Sequence, residues 1–294
     1  MTITAGLVKE LRERTGAGMM DCKRALVEVD GDLEQGVELL RKGGQAKAAK
    51  KASRVAAEGL VVLAGDVSEG RHVILEINSE TDFVAKDVNF SRFADTVAQA
   101  ALIHQPSPTN VEELMALEVD GKTLEKLRLE LVTKIGENIS VRRFAIVDTD
   151  GLVGAYSHMG RIGVLVELNG GTIELARDLA MQVAARAPQC ISADDMPQEE
   201  LAKEREILMA QASGEGKPPA IVEKMVAGRL RKHLDEVTLL GQPFVKNPDQ
   251  KVSDLLAEGE ATVVRFLRYE VGEGIEKKKD DFVQEVMAQA SQNG

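Results

Sequence analysis

One pattern occurs twice in this chain, and it limits the fold more than any other feature. Gly59-Leu60-Val61, followed by Arg71-His72-Val73-Ile74-Leu75-Glu76-Ile77-Asn78, resembles Gly151-Leu152-Val153, followed by Arg161-Ile162-Gly163-Val164-Leu165-Val166-Glu167-Leu168-Asn169. Each copy reads as a hairpin of apolar strands that feeds a helix. The helix stripes are Phe90, Phe93, Val97 and Ala101 after the first hairpin, and Leu175, Leu179 and Val183, within 172–186, after the second. A pattern repeated within one chain marks a repeated structural unit. The expected fold is therefore α+β, with a duplicated core of antiparallel sheets and packed helices.

The copies differ at one place. The second runs from Asn169 through Gly170-Gly171 into Thr172-Ile173-Glu174-Leu175, whereas the first ends in Thr81-Asp82-Phe83-Val84-Ala85-Lys86-Asp87. An acid and an aromatic ring thus stand side by side where a strand ends, in a chain with seven phenylalanines, two tyrosines and no tryptophan. Exposed ring surface forfeits about 25 cal/mol for each Å² left unburied, so the ring is either core or anchor. On the first reading Thr81 or Asp82 caps the next helix and Phe83 folds back into the core. On the second, Asp82 and Phe83 are additions for contact with another molecule, because the second copy manages without them.

The rest of the chain divides around this core. Residues 1–42 read as three short helices, with Leu7, Val8 and Leu11, then Cys22, Ala25, Leu26 and Val29, then Leu33, Val37 and Leu40 as their apolar faces. Lys42, Lys47, Lys50, Lys51 and Arg54 follow with no acid among them, a solvated helical linker in preference to an RNA-binding arm. Leu124, Leu127, Leu131 and Ile135 mark a further helix, and a strand near 141–147 is expected to open the second half. Beyond Pro188 and Pro197, two charged helices near 198–213 and 219–233 read as an inserted antiparallel coiled-coil hairpin, since Leu201, Leu208, Ile221, Met225 and Leu230 are too few for an independent core. The run Val263–Val271 returns as a strand, and Phe282, Val283, Val286 and Met287 mark a C-terminal helical module. The expected division is 1–54, 55–140, 141–186 with 234–271, the arm 187–233, and 272–294.

The 294 residues carry a net charge of −11 and 44% hydrophobic residues. Such a charge disfavours nucleic acid as a direct partner, because that affinity rests on a basic face that neutralises phosphates. Residues 1–54 hold 11 Lys and Arg against 8 Asp and Glu, so the acidity lies in the remainder. Two cysteines, Cys22 and Cys190, rule out a disulfide framework and point to a reducing, cytoplasmic setting. No apolar run approaches a membrane span, and Met1-Thr2-Ile3-Thr4-Ala5 lacks the basic and apolar regions of a signal peptide.

Catalytic and nucleotide-binding motifs are missing. There is no Gly-x-x-x-x-Gly-Lys-Ser/Thr and no Gly-x-Gly-x-x-Gly after a strand, while His72, His104, His158 and His233 are scattered and far from any cysteine pair. Ser157 and His158 are neighbours on a strand, so they point to opposite faces. No catalytic residue, metal site or cofactor is expected. His158 and Met159, in Tyr156-Ser157-His158-Met159-Gly160, sit at a hairpin turn, either as exposed turn residues or as a partner contact.

The blocks Leu11-Arg12-Glu13-Arg14-Thr15-Gly16-Ala17-Gly18-Met19-Met20-Asp21-Cys22-Lys23-Arg24-Ala25-Leu26 and Glu76-Ile77-Asn78-Ser79-Glu80-Thr81-Asp82-Phe83-Val84-Ala85-Lys86 resemble the two signature blocks of bacterial elongation factor Ts. Lys134-Ile135-Gly136-Glu137-Asn138, Gly160–Val164, Gly241–Val245 and Glu270–Ile275 also look like that family, in its order. The resemblance implies a guanine-nucleotide exchange factor, not itself an enzyme, whose partner is elongation factor Tu. It implies a ubiquitin-associated-like N-terminal domain. Thr81, Asp82, Phe83 and Val84 would disturb the partner's Mg²⁺ and phosphate-binding elements. Met19, Met20 and Lys23 would grip a helix of its GTPase domain, and His158 and Met159 would meet another of its domains. The alternative is a non-exchanging adaptor built on the three-helix module, which would survive loss of Asp82 and Phe83. Stoichiometry stays open between one of each protein, a homodimer and a two-plus-two complex.

Overall fold

The computed structural model describes residues 3–66, 70–213 and 218–276. Three helices come first: α1 (Ala5–Thr15), α2 (Met19–Glu28) and α3 (Leu33–Lys51). The Thr4 hydroxyl accepts from the Leu7 amide and the Asp32 carboxylate from the Gln35 amide, which satisfies amides that a helix start otherwise leaves open. Leu11, Cys22 and Leu26 form the buried centre, with Leu33 and Val37 of α3 packed on it. The third helix and the expected helical linker are one unbroken helix. It runs through the basic stretch to Lys51, because alanine and lysine favour helix and because it packs on a helix of the core.

The first half of the core begins with β1 (Glu58–Asp66) and β2 (Arg71–Ser79), paired antiparallel. The chain continues through α4 (Asp82–Ala85), α5 (Val88–Ile103), α6 (Val111–Ala116), a ribbon of β3 (Glu118–Val119) and β4 (Lys122–Thr123), α7 (Leu124–Ile135) and β5 (Ile139–Asp148). Here the structure corrects the expectation that a strand near 141–147 opens the second half. β5 pairs antiparallel along all of β2, from Ile139 opposite Ser79 to Asp148 opposite Arg71, and gives a sheet of order β1-β2-β5. β2 is thereby flanked on both sides and buried at every position. Of the three glycines inside α3, Gly36, Gly43 and Gly44, the last has the tightest surroundings: a Cβ on Gly44 would stand 2.7 Å from the Thr133 hydroxyl of α7, so glycine is what lets these helices close on each other.

The second half repeats the plan with β6 (Leu152–His158), β7 (Ile162–Gly170) and α8 (Ile173–Arg186). The arm follows as α9 (Gln198–Ser213) and α10 (Pro219–Val237), held to each other by Leu208, Ala212, Val222 and Val226. At its base Leu239 N–H donates to the Cys190 carbonyl (2.9 Å) and Gln189 N–H to the Val237 carbonyl (2.8 Å), so chain exit and return are tied. A ribbon of β8 (Pro243–Phe244) and β9 (Asn247–Lys251), α11 (Val252–Glu258) and β10 (Ala261–Glu270) complete this half, whose sheet has the order β10-β7-β6. The expected helix carrying Phe282, Val283, Val286 and Met287 lies outside the described residues.

The sheets pack face to face through Val61, Ile74, Val147, Val153 and Leu165, while α5 and α7 cover the far face of the first and α8 and α11 that of the second. The duplication extends to a charge inside the sandwich. On the central strand of each sheet a buried glutamate stands opposite an arginine of the third strand, next to a register shift: Glu76 opposite Arg143, and Glu167 opposite Arg265. In both pairs Nε of the arginine donates to the carboxylate at 2.6 Å. A buried carboxylate must find such partners, because its desolvation otherwise costs several kcal/mol.

Candidate functional site

β2 leaves the sandwich at Ser79, and the chain turns once as α4 before α5 begins. Val84 points inward and is 7% exposed, packed with the first core, whereas the neighbouring Phe83 ring is 79% exposed. The alternative in which Phe83 folds back into the core is thereby overturned. Five residues on, Val88 is a further exposed apolar side chain at the start of α5.

The turn is held by partners distant in sequence. Thr81 occupies the cap position of α4, yet its side chain makes no capping bond. Instead its N–H donates to Glu137 Oε2 (3.0 Å) and its hydroxyl to Glu137 Oε1 (2.8 Å). In return the Asn138 N–H donates to Glu80 Oε1 (2.6 Å), whose second oxygen meets Arg54 at 3.4 Å. Asp82 is bridged by Lys86 at 2.8 Å. The Lys86 ammonium holds the Asp82 carboxyl below its ordinary value, with Arg161 adding a weaker pull, so this acid is ionised at neutral pH.

The turn between β6 and β7 lies at the same end of the sandwich. The Val61 amide donates to the Gly160 carbonyl (2.7 Å), and Arg161 bridges Glu58 at 2.7 Å, the residue opposite Ser79. Met159 is 85% exposed with a left-handed φ of 53°, and His158 is exposed beside it, stacked on Tyr156. The structure thus brings Thr81–Val84 and His158–Met159 to one edge. Met19, Met20 and Lys23 lie instead on the separate helical module, exposed at the start of α2. Val27, one turn pair beyond Met20 on the same face, extends that patch.

Glu80, Glu137 and Val27 were missed by sequence reasoning. Glu137 sits inside a block noted for its resemblance, but nothing local says that its carboxylate reaches Thr81. For Val27 the signal was available, since it falls at helical spacing from Met20 and Lys23.

Chemically, this surface offers contact, through an exposed ring, an exposed methionine and charged side chains held by hydrogen bonds. Burial, with Asp195 and Glu200 nearby, pushes the Cys190 thiol up, which disfavours the thiolate a nucleophile needs. Among the described residues no group of three or more His, Cys, Asp or Glu could hold a metal ion, and no helix is long and apolar enough to cross a membrane.

Comparison with known proteins gives one family. Its profile, described as elongation factor TS, matches residues 80–273. The chain is 58% identical over 289 residues to elongation factor Ts of Halorhodospira halophila, covering 98% of this chain and 99% of that one. It is 56% identical over 292 residues to elongation factor Ts of Thioalkalivibrio sulfidiphilus, with 99% of each chain covered. For elongation factor Ts of Methylococcus capsulatus the figures are 56% over 291 residues, with 98% and 99% covered.

Proposed function

This chain belongs to the elongation factor Ts family, and from that premise we propose that it releases GDP from elongation factor Tu by pressing the Asp82–Phe83 turn against the elements that hold Mg²⁺ and phosphate. GTPases of this kind cradle phosphates with loop amides and a lysine, while Mg²⁺ bridges nucleotide and protein. An exchange factor has to weaken that grip without breaking a bond. Phe83 carries this reading: a ring 79% exposed, on a turn pinned by Glu137, is placed to be buried by something outside this chain. Burying a phenylalanine side chain is worth about 1.5–3 kcal/mol, enough to anchor the turn in a crevice of the partner.

In this mechanism Phe83 is the anchor, Asp82 is the charge brought beside the Mg²⁺ site, and Thr81 and Val84 set the turn's direction. Met19, Met20 and Lys23 grip a helix of the same GTPase domain, for which methionines are suited because they pack adaptably. His158 and Met159 touch a second domain of the partner. Linkage makes the effect mutual: the factor by which this protein weakens GDP is the factor by which GDP weakens this protein's binding. Nucleotide-free elongation factor Tu therefore binds it most tightly, and the excess of GTP over GDP sets the direction of exchange.

Stopped-flow release of fluorescent GDP from elongation factor Tu tests this, with wild type, Asp82→Ala/Phe83→Ala and no factor. Acceleration by the wild type that the double variant largely loses is the expected result. A stable complex without acceleration would refute exchange and favour the adaptor.

A further inference from the structure

Thr81 and Thr172 occupy matching places in the two halves, each three residues after the asparagine that ends the repeat, Asn78 and Asn169. Their hydroxyls do different things. Thr172 caps its helix in the ordinary way, accepting from the Leu175 amide at 3.1 Å, and α8 then runs unbroken from Ile173 to Arg186. Thr81 gives its hydroxyl and its amide to the two oxygens of Glu137. The first helical turn ends at Ala85, and α5 starts afresh at Val88 with Asp87 capping the Asn89 and Phe90 amides. The second half thus shows what the strand-to-helix junction does by default, and the first shows the same junction with one turn split off and clamped.

We propose that Glu137 is a positioning residue for nucleotide exchange: its carboxylate diverts Thr81 from capping, which fixes the split turn so that Phe83 stands outward while Val84 stays in the core. The proposal rests on the exchange reading above. Three features support it. The clamp is two-pointed, so it sets a direction as well as a distance. It is reciprocated, because the Asn138 amide is held by Glu80 in turn. The same loop also anchors the end of the N-terminal module: Lys51 Nζ donates to the Gly136 carbonyl and Asn138 Nδ2 to the Arg54 carbonyl at 2.9 Å. One loop, 136–138, therefore registers both the Phe83 turn and the helix leading to the Met19–Met20 surface.

If Glu137 only added stability, its loss would weaken exchange no more than any comparable loss elsewhere. If it aims the turn, its loss lowers the rate within the complex and leaves binding through the other surfaces. The test uses the full chain as wild type, Glu137→Ala, Glu137→Gln and, as a stability control in the other half, Thr172→Ala. Release of fluorescent GDP from elongation factor Tu is measured against factor concentration, with thermal unfolding alongside. We expect Glu137→Ala to lower the saturating rate by about tenfold or more, since small misplacements of acting groups are costly. Its half-saturating concentration should stay within about threefold of wild type, a change of well under 1 kcal/mol in affinity. Glu137→Gln should recover most of the rate, because its amide oxygen accepts from the Thr81 N–H and its NH₂ donates to the Thr81 hydroxyl. Should Glu137→Ala not fold, Thr81→Val removes the hydroxyl bond alone and should lower the saturating rate in the same sense.

Glu137→Ala exchanging like wild type, or all three variants losing rate in step with their melting temperatures, would overturn the proposal and leave exchange intact. A wild type that does not accelerate GDP release would overturn the exchange reading and this proposal with it.

Discussion

Phe83 and Val84 are adjacent, yet they should separate function from stability. In the free protein the Phe83 ring is 79% exposed, so Phe83→Ala deletes almost no contact. Its effect on folding should stay within about 0.5 kcal/mol, as for surface positions generally. Val84 is 7% exposed among the side chains of the first core. Truncation to alanine removes two methyl groups, about 1.6 kcal/mol of transfer free energy at about 0.8 kcal/mol each, and leaves a small cavity that raises the cost to about 2 kcal/mol. In exchange the order reverses. Phe83→Ala forgoes about 1.5–3 kcal/mol of burial against the partner, a loss of about tenfold to a hundredfold in the step where the ring is engaged. Val84→Ala keeps the ring and loosens only its seating, so at temperatures where it remains folded it should lose less exchange than Phe83→Ala. Urea unfolding of both variants gives the first pair of numbers and stopped-flow GDP release the second. Phe83→Ala destabilised by more than about 1 kcal/mol, or Val84→Ala silent in urea, would mean that the turn presents the other face, and the proposed anchor would fall.

Two further predictions concern charge. Burial pushes the Glu76 carboxyl up, but the Gly272 amide, Arg142, Arg143 and Asn78 outweigh it and hold its pKa below the ordinary 4.5. Its stabilisation is therefore complete above that pH and is lost as pH falls through the lower folded-state value, so the advantage of wild type over Glu76→Gln should shrink progressively in acid urea titrations; a constant difference between pH 7 and pH 3 would refute the assignment. For Asp82, whose carboxyl Lys86 holds below its ordinary value, Lys86→Ala should move the NMR titration midpoint upward. An unchanged midpoint would show that the bridge does not form in solution.

Most of the local structure was legible in the sequence. Helical spacing located the three N-terminal helices, both long helices of the repeat and the arm, and the apolar runs located both hairpins. The exposure of Phe83 was legible by comparison, because a second copy without the acid–aromatic pair showed that the fold does not require it. Pairing between distant segments was not. β5 was assigned to the wrong half because strand content says nothing about which neighbour a strand will join, and its partner β2 lies on the far side of four helices in the chain. The same blindness hid Glu137, which reaches Thr81 across 56 positions, and the pairing of Glu76 with Arg143 across 67. The basic stretch was rightly read as helical, but its charge suggested a solvated linker, whereas it continues α3 without a break and packs on α7.

Both sheets carry a central glutamate opposite an arginine, and both glutamates also reach the other half: Glu167 accepts from the Thr149 hydroxyl (2.5 Å), just past β5 of the first sheet. Glu76 also accepts from the Gly272 amide (2.8 Å), just past β10 of the second sheet, and Arg143 lies over the Tyr269 ring at 4.2 Å while donating to the Glu270 carbonyl (3.3 Å). The Phe83 turn grows from the end of β2 and the Met159 turn from the end of β6, so a lock between the sheets governs how far apart these two exposed groups stand. That bears on the proposed mechanism. A factor can shift its partner only by the difference between its affinities for the nucleotide-free and GDP-bound states. A sandwich that slid freely would fit both partner states with both turns engaged, and the difference would shrink towards zero. A locked spacing fits one state better than the other. On the proposed mechanism the buried charges between the sheets would be part of how the protein acts, by keeping the frame from adapting to the GDP-bound partner.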